Sequence, residues 1–251
     1  MMAKFKDHFS MQARRYSHYR PSYPEEMFAF LSSLAISHDR AWDCATGNGQ
    51  SALSLASFFN EIIATDASEM QINQAKPHPK VKYVVARAED CPVLAEHSVD
   101  LVTVATGVHW FDLTQFYKEI RRVLVKGGIV AFWVYNGSND RNELDALIRR
   151  YMYEIVAPCT PEEVRKWVWT DYKTLPFPFQ EITPPEFNAT MRWTADDALG
   201  FLSTLAATQK FALERSADPL EIISEELKQI IENSGGSIER SWKLHLRVGR
   251  I

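Results

Sequence analysis

Two carboxylates with a pair of glycines between them carry the first chemical signal in this chain. Asp43 closes the apolar run Ala41-Trp42, and the loop Cys44-Ala45-Thr46-Gly47-Asn48-Gly49-Gln50 follows it. A second apolar run, Ile62-Ile63-Ala64-Thr65, then delivers Asp66 about 20 residues past the loop. Backbone at glycine can approach a ligand closely, and a carboxylate at the next strand end can grip ribose hydroxyls. This is the layout by which an α/β sheet holds a nucleoside. Gly47-x-Gly49-x-x-Ala52 also fits a dinucleotide fingerprint, which leaves a nicotinamide-dependent reductase as the alternative. Asp43 weighs against it, because a carboxylate there repels a diphosphate but suits an ammonium or orders the turn.

A third candidate, His109, follows the apolar run Val99–Ala105 in the stretch Thr106-Gly107-Val108-His109-Trp110-Phe111-Asp112. It is the one histidine placed to act as a base on the ligand edge, or to hydrogen-bond a loop or a substrate carboxylate. Trp110 and Phe111 beside it would wall a pocket. The remaining histidines and the three cysteines, Cys44, Cys91 and Cys159, lack metal-ligand spacing, so no metal is expected.

The elements that must position these groups alternate. Ala41 to Cys44 reads as a buried strand, and Leu53, Leu55, Ala56 and Phe59 stripe a helix behind the loop. Ser68 to Ala75 is a short helix, and Val81 to Val85 a strand. Val99 to Ala105 is a strand buried on both faces. Asp112 caps a helix with Gln115 at capping-box spacing, lined by Leu113, Phe116, Ile120 and Leu124 and stopped at Gly127-Gly128. Gly128 to Tyr135 is the next strand, which puts Trp133 near the ligand edge. The pattern predicts a doubly wound α/β fold with a mostly parallel sheet. Before it, Pro24-Glu25-Glu26 opens a helix lined by Met27, Phe28 and Leu31. Beyond Asn136 the alternation gives way to helices, one over Asp140–Val156 and others starting at Thr160, Thr194 and Asp218. A proline-broken strand near 179–191 interrupts them, and Ile238 to Val248 reads as a closing strand.

The loop resembles the first motif of the class I S-adenosylmethionine-dependent methyltransferases, acidic-x-Gly-x-Gly-x-Gly, with Ala45 in place of the first glycine. A methyl group at that position calls for negative φ. Arg87-Ala88-Glu89 stands where the family usually carries Asp-Ala-Glu. Tyr16-x-x-x-Arg20-Pro21-Ser22-Tyr23-Pro24, His109-Trp110-Phe111-Asp112 and Leu246-Arg247-Val248-Gly249-Arg250 narrow the likeness to the trans-aconitate methyltransferase-like subgroup. The resemblance implies a Rossmann-like core over 24–136 and an N-terminal cap over 1–23. It also implies a helical lid over 137–234 that contributes one core strand, and a final core strand in 235–251. It implies S-adenosyl-L-methionine as cofactor, spent as S-adenosyl-L-homocysteine. The cofactor would be held by Tyr19, Arg20, Asp43, Ala45, Thr46, Gly47, Gly49, Gln50, Asp66, Ala67, Met70, Ala88, Glu89, Ala105, Thr106 and His109. Tyr16, Trp110 and Trp133 would meet the substrate, a small carboxylic acid that becomes a methyl ester. Arg14, Arg15, Arg192 and Lys210 are candidates for further carboxylates. A protein that keeps the fold without turnover is the other alternative, motivated by Ala45 and Arg87.

Composition bounds the rest. The chain has 251 residues, 46% hydrophobic and 24% charged, with a net charge of −4, so no general attraction to nucleic acid or anionic membrane is expected. The apolar run Ile129–Tyr135 is far short of the ~20 residues of a membrane span. The basic, aromatic N-terminal stretch is weakly like a transit peptide, though a cap over the cofactor is preferred. An odd number of cysteines with no disulfide framework fits a reducing, cytoplasmic setting.

Overall fold

The computed structural model describes residues 19–138 and 141–251; the expectations for Arg14, Arg15 and Tyr16 lie outside them. Strands β1 (Arg40–Cys44), β2 (Glu61–Asp66), β3 (Val81–Val85), β4 (Val99–Ala105) and β5 (Leu124–Tyr135) pair in parallel, in the order β3-β2-β1-β4-β5. The sheet continues antiparallel through β8 (Ile238–Arg250), against whose far edge β6 (Gln180–Ile182) and β7 (Phe187–Trp193) both pair. This is the mixed sheet of a Rossmann-like fold. The turn of direction between β1 and β4 opens a crevice at the carboxyl ends of the parallel strands.

Period-two alternation sorts each strand's side chains between two apolar layers. Along β5, Ile129, Ala131, Trp133 and Tyr135 face the layer that holds Met27, Phe28 and Leu31 of α1 (Glu25–Leu34). Val130, Phe132 and Val134 face the opposite layer, with Phe116, Ile120 and Val123 of α4 (Leu113–Val123). Between these helices in the chain come α2 (Gln50–Leu55) and α3 (Glu69–Ile72). α3 is capped by the Ser68 hydroxyl, which accepts from Gln71 N. The acid that opens β4, Asp100, accepts the backbone N–H groups of Asp39 and Arg40, both at 3.0 Å. It thereby fixes where β1 enters the sheet.

After β5 come α5 (Glu143–Arg150), α6 (Ala195–Ser203), α7 (Ala206–Arg215) and α8 (Ser224–Asn233). The long helix expected over 140–156 is α5 followed by a wider π-type turn, Tyr151–Ile155. The helix expected from Thr160 is likewise π-type over Val164–Val168. Thr160 donates its hydroxyl to Val156 O instead of capping that turn. α6 does begin with a capping box, Thr194 with Asp197. No helix among the described residues is long and apolar enough to cross a membrane.

Candidate active site

The crevice, about 440 Å³, is walled by the loop after β1, the end of β2, the turn after β3 and the segment after β4. Ala45, Thr46, Gly47, Gln50, Asp66, Ala67, Ala88, Glu89, Ala105, Thr106, His109 and Trp110 all line it. Its size falls in the range of small-molecule sites. Asp66 receives the Gly47 N–H on Oδ2 at 2.9 Å and the Ser68 N–H on Oδ1 at 2.8 Å. A carboxylate has about four lone-pair sites, so these bonds aim it while leaving acceptor capacity for a ligand. Glu89 is aimed in a similar way, taking Arg87 Nε at 3.3 Å and the Asp112 N–H at 3.0 Å. The arginine in the usual aspartate position therefore orients Glu89. Asp112 caps α4 by accepting from Thr114 and Gln115, but Glu89, not Gln115, returns the second bond.

Asp43 stands beneath the crevice without lining it. It is 1% exposed and accepts the hydroxyls of Thr46 (2.5 Å) and Thr103 (2.8 Å). Burial outweighs these bonds and pushes its carboxyl up to about 6. Its bonds are those of a turn anchor. The turn it anchors is strained: Ala45 has φ +53°, against the negative φ expected for a residue with a β-carbon. Thr106, across the crevice, is also left-handed at φ +52°. Gly49 (φ +90°) lies behind the lining, where an added β-carbon would stand 2.3 Å from the Tyr83 hydroxyl, so no other residue fits.

A second cavity of about 120 Å³ adjoins the crevice, and Thr106, His109 and Trp110 line both. Its remaining walls come from distant parts of the chain: Arg20, Tyr135 at the end of β5, Met152 and Trp169, Trp193 of β7, Phe201 of α6, and Arg240 and Trp242 of β8. His109 is 4% exposed and shares a 2.8 Å hydrogen bond, through Nδ1, with the Tyr172 hydroxyl. Burial drives its imidazole down to about 3, so the ring is neutral at physiological pH.

Several expected site residues lie elsewhere. Trp133 is fully buried between Tyr23 (5.4 Å) and Phe28 (6.1 Å), because its strand position faces the α1 layer and not a pocket. Met70 points to solvent at 49% exposure, and its neighbour Gln71 lines the crevice instead. Tyr19 packs its ring against Gly200 and lines neither cavity. Arg20 sits in the second cavity: Nη1 donates to the Tyr135 hydroxyl (3.0 Å), Nε donates to the Thr204 hydroxyl (3.1 Å), and Phe201 lies under its guanidinium. Arg192 bonds Ser237 and Lys210 pairs with Glu214, both outside the cavities. The late tryptophans include wall residues: Trp167 in the crevice, and Trp169, Trp193 and Trp242 in the second cavity. No spacing in the sequence marks them.

The crevice fits a nucleoside that carries hydroxyl, amine and carboxylate groups. Gln71 Oε1, Thr106 Oγ1 and Trp167 Nε1 are buried in its wall with no hydrogen-bond partner among the described residues. Buried polar atoms are nearly always satisfied, so such a cluster suits a polar ligand. A Rossmann-like sheet with an anchored glycine loop, an aimed strand-end carboxylate and an adjoining cavity is an arrangement suited to a nucleoside.

Comparison with known proteins narrows the class. Residues 42–132 match the family described as a methyltransferase domain. A solved structure from Anaeromyxobacter dehalogenans, described as a candidate type II methyltransferase, is 38% identical, covers 92% of this chain and 97% of its own, and superposes with a TM-score of 0.82. A candidate methyltransferase of Dictyostelium discoideum is 29% identical over 236 residues, 93% of this chain and 89% of its own. A Methanococcus maripaludis structure described as a candidate S-adenosyl-L-methionine-dependent methyltransferase is 17% identical, covers 73% of this chain and 92% of its own, and shares the fold with a TM-score of 0.51. The chain belongs to the methyltransferase family.

Proposed function

We propose that the protein binds S-adenosyl-L-methionine in the crevice and methylates a small carboxylic acid held in the second cavity, giving a methyl ester. The observation that carries this reading is the meeting of the two cavities at Thr106, His109 and Trp110. A donor in one and an acceptor in the other would face each other across that junction. The bound sulfonium supplies an activated methyl group, so a new O–C bond can form as the S–C electron pair returns to sulfur. What the chain must add is alignment and exclusion of water.

Asp66, with Gly47 and Thr46 of the loop, is assigned the ribose side of the cofactor. Ala88 and Glu89 are assigned the base side. A neutral His109 is a poor proton acceptor near pH 7, since an effective general base titrates close to the working pH. That disfavours alcohols, phenols and protonated amines as acceptors. A carboxylate needs no base, because it is already an anion. Arg20, expected among the cofactor-binding residues, lines the second cavity and is assigned to the acceptor, since an arginine fork suits a carboxylate. This agrees with the resemblance to the trans-aconitate methyltransferase-like subgroup.

Titration calorimetry with S-adenosyl-L-methionine tests the first half. Binding is expected, and Asp66→Ala should weaken it ~10- to 150-fold, as loss of hydrogen bonds to a charged group does. An absence of heat with the wild-type protein would remove the reading. Labelled methyl donor with a metabolite extract, read by mass spectrometry, tests the second half; the label should appear on a carboxylic acid.

A further inference from the structure

Tyr172 is held in a backbone conformation that a bulky aromatic residue rarely adopts. Its φ is +59°, and that of Asp171 before it is +55°. A left-handed backbone at such a residue persists only where the surroundings impose it, and strain of this kind gathers at functional sites. Here the restraints come from both sides. The Tyr172 N–H donates to Trp167 O at 2.9 Å, and Tyr172 O accepts from Arg247 Nη1 of β8, also at 2.9 Å. The Asp171 carboxylate accepts from Lys173 Nζ at 3.1 Å and lies 3.5 Å from His245 Nε2, again on β8. The turn so fixed buries the Tyr172 side chain completely and brings its hydroxyl to 2.8 Å from His109 Nδ1.

Resting on the methyltransferase reading above, we propose that Tyr172 is a positioning residue that fixes His109 as its Nε2–H tautomer. This N–H donates a hydrogen bond to an oxygen of the methyl acceptor where the two cavities meet.

The chemistry of the pair sets the direction. A neutral imidazole has one bare nitrogen and one N–H, and the bond made by one nitrogen decides the state of the other. A phenol O–H is the stronger acid of the two partners and a bare ring nitrogen the stronger base, so the O–H donates to Nδ1. The ring proton then sits on Nε2. His109 lines both cavities and its Nδ1 is taken by Tyr172, so Nε2 is the nitrogen left for a ligand. The Trp110 ring, 4.7 Å away, and the Tyr172 ring, 6.0 Å away, flank the imidazole and set its plane.

An N–H at this place suits a carboxylate acceptor. One carboxylate oxygen takes the Nε2–H bond while the other forms the new O–C bond, and the S–C electron pair leaves with sulfur. No proton moves, and His109 ends the reaction as it began. The other tautomer would turn a bare lone pair toward an anion. In a buried site little water competes for the bond, which strengthens it.

Nitrogen-15 magnetic resonance of the full-length protein, labelled at histidine, tests the tautomer at neutral pH, with His109→Gln identifying the signal. The wild type should show Nε2 protonated and Nδ1 bare, and Tyr172→Phe should show both tautomers. Rates are read as label passed from S-adenosyl-L-methionine to the acids of a metabolite extract. His109→Leu should lower the rate ~10- to 150-fold, as loss of a bond to a charged group does. His109→Gln, whose amide N–H reaches the place of Nε2–H, should recover most of it. Tyr172→Phe should lower the rate ~10-fold while the calorimetric Kd for the donor stays unchanged. In a His109→Gln background there is no tautomer to fix, so Tyr172→Phe should have no further effect. A wild-type signal from Nδ1–H overturns the inference, and that spectrum decides whether or not Tyr172→Phe folds. Unchanged tautomer signals in Tyr172→Phe overturn it too. So does a His109→Gln as slow as His109→Leu, or a Tyr172→Phe that slows both backgrounds alike, as a merely structural role would. If the wild type binds no donor or labels no acid, the methyltransferase reading fails, whereas the tautomer signal still decides the role of Tyr172.

Discussion

Replacing Asp43 with asparagine should make the protein more stable at neutral pH and worse at binding its cofactor. The carboxyl titrates near 6 in the folded protein against a reference of 3.8. A raised acid pKa means the folded state binds the proton more tightly than the unfolded chain. Between those values stability therefore falls as pH rises, and above about 6 the ionised carboxylate opposes folding in full. The rise from 3.8 to about 6 corresponds to about 3 kcal/mol at neutral pH. The wild-type protein should recover about 1.4 kcal/mol of it at pH 5 and approach the whole amount only below about pH 4. Urea denaturation of both proteins at pH 5, 6 and 7.5 measures this. Groups that titrate in both cancel in the difference, which should favour Asp43→Asn most at pH 7.5 and shrink toward pH 5. The carboxylate is retained at this cost because Thr46 donates to it, and Thr46 follows the left-handed Ala45. A neutral amide makes bonds about half as strong, so calorimetry should show cofactor affinity lower by ~10-fold. A stability difference that does not change with pH would refute the burial argument. An unchanged affinity would refute the anchoring role.

Ala45→Gly should relieve the left-handed backbone and stabilise the protein by about 0.5–1 kcal/mol in denaturant titrations, after allowing for the added freedom of the unfolded chain; a loss of stability would contradict the φ of +53°. Tyr172→Phe leaves the buried His109 Nδ1 without its 2.8 Å partner and should cost about 1–3 kcal/mol of stability, with kcat reduced more than the donor Kd. The pH–rate profile should show no histidine limb between pH 5.5 and 8, because His109 titrates near 3 in the folded state. For stability His109 acts in the opposite sense to Asp43: its depressed value means that stability is present in full above the unfolded 6.5 and is lost as pH falls below it. His109→Asn should remove that dependence in urea titrations below pH 6.

The walls of the crevice were legible in the sequence because their demands are local. A tight loop at the end of a buried strand needs glycine at fixed offsets, and the ribose needs a carboxylate at the next strand end. Gly47, Gly49 and Asp66 state both within one βαβ unit. Helix starts were equally local, as the Ser68, Asp112 and Thr194 caps show. The reading of Ala45 failed because the conformation of that residue is set by a neighbour's buried hydrogen bond, not by its own preference. The reading of Trp133 failed by depth. It faces the same layer as Tyr135 but sits two residues further into β5, where α1 covers it, and Tyr135 reaches the cavity instead.

The second cavity left almost no trace in the sequence, and the chemistry proposed for it explains why. Attack on a sulfonium methyl by a carboxylate needs no base, no metal and no covalent partner from the protein. It needs a dry space of the right shape and one cation at one end. Any mixture of tryptophan, phenylalanine and methionine can supply such a space, from any place in the chain that the fold brings together. Here Met152, Trp193, Phe201 and Trp242 come from a π-type turn, two strands and a helix with no common spacing. His109, the one residue whose type did suggest chemistry, is kept neutral by the enclosure that the reaction requires. On the proposed reading, burial that would keep water from a methyl donor also keeps the imidazole neutral, and the residue that suggested a base in the sequence would serve as part of the wall.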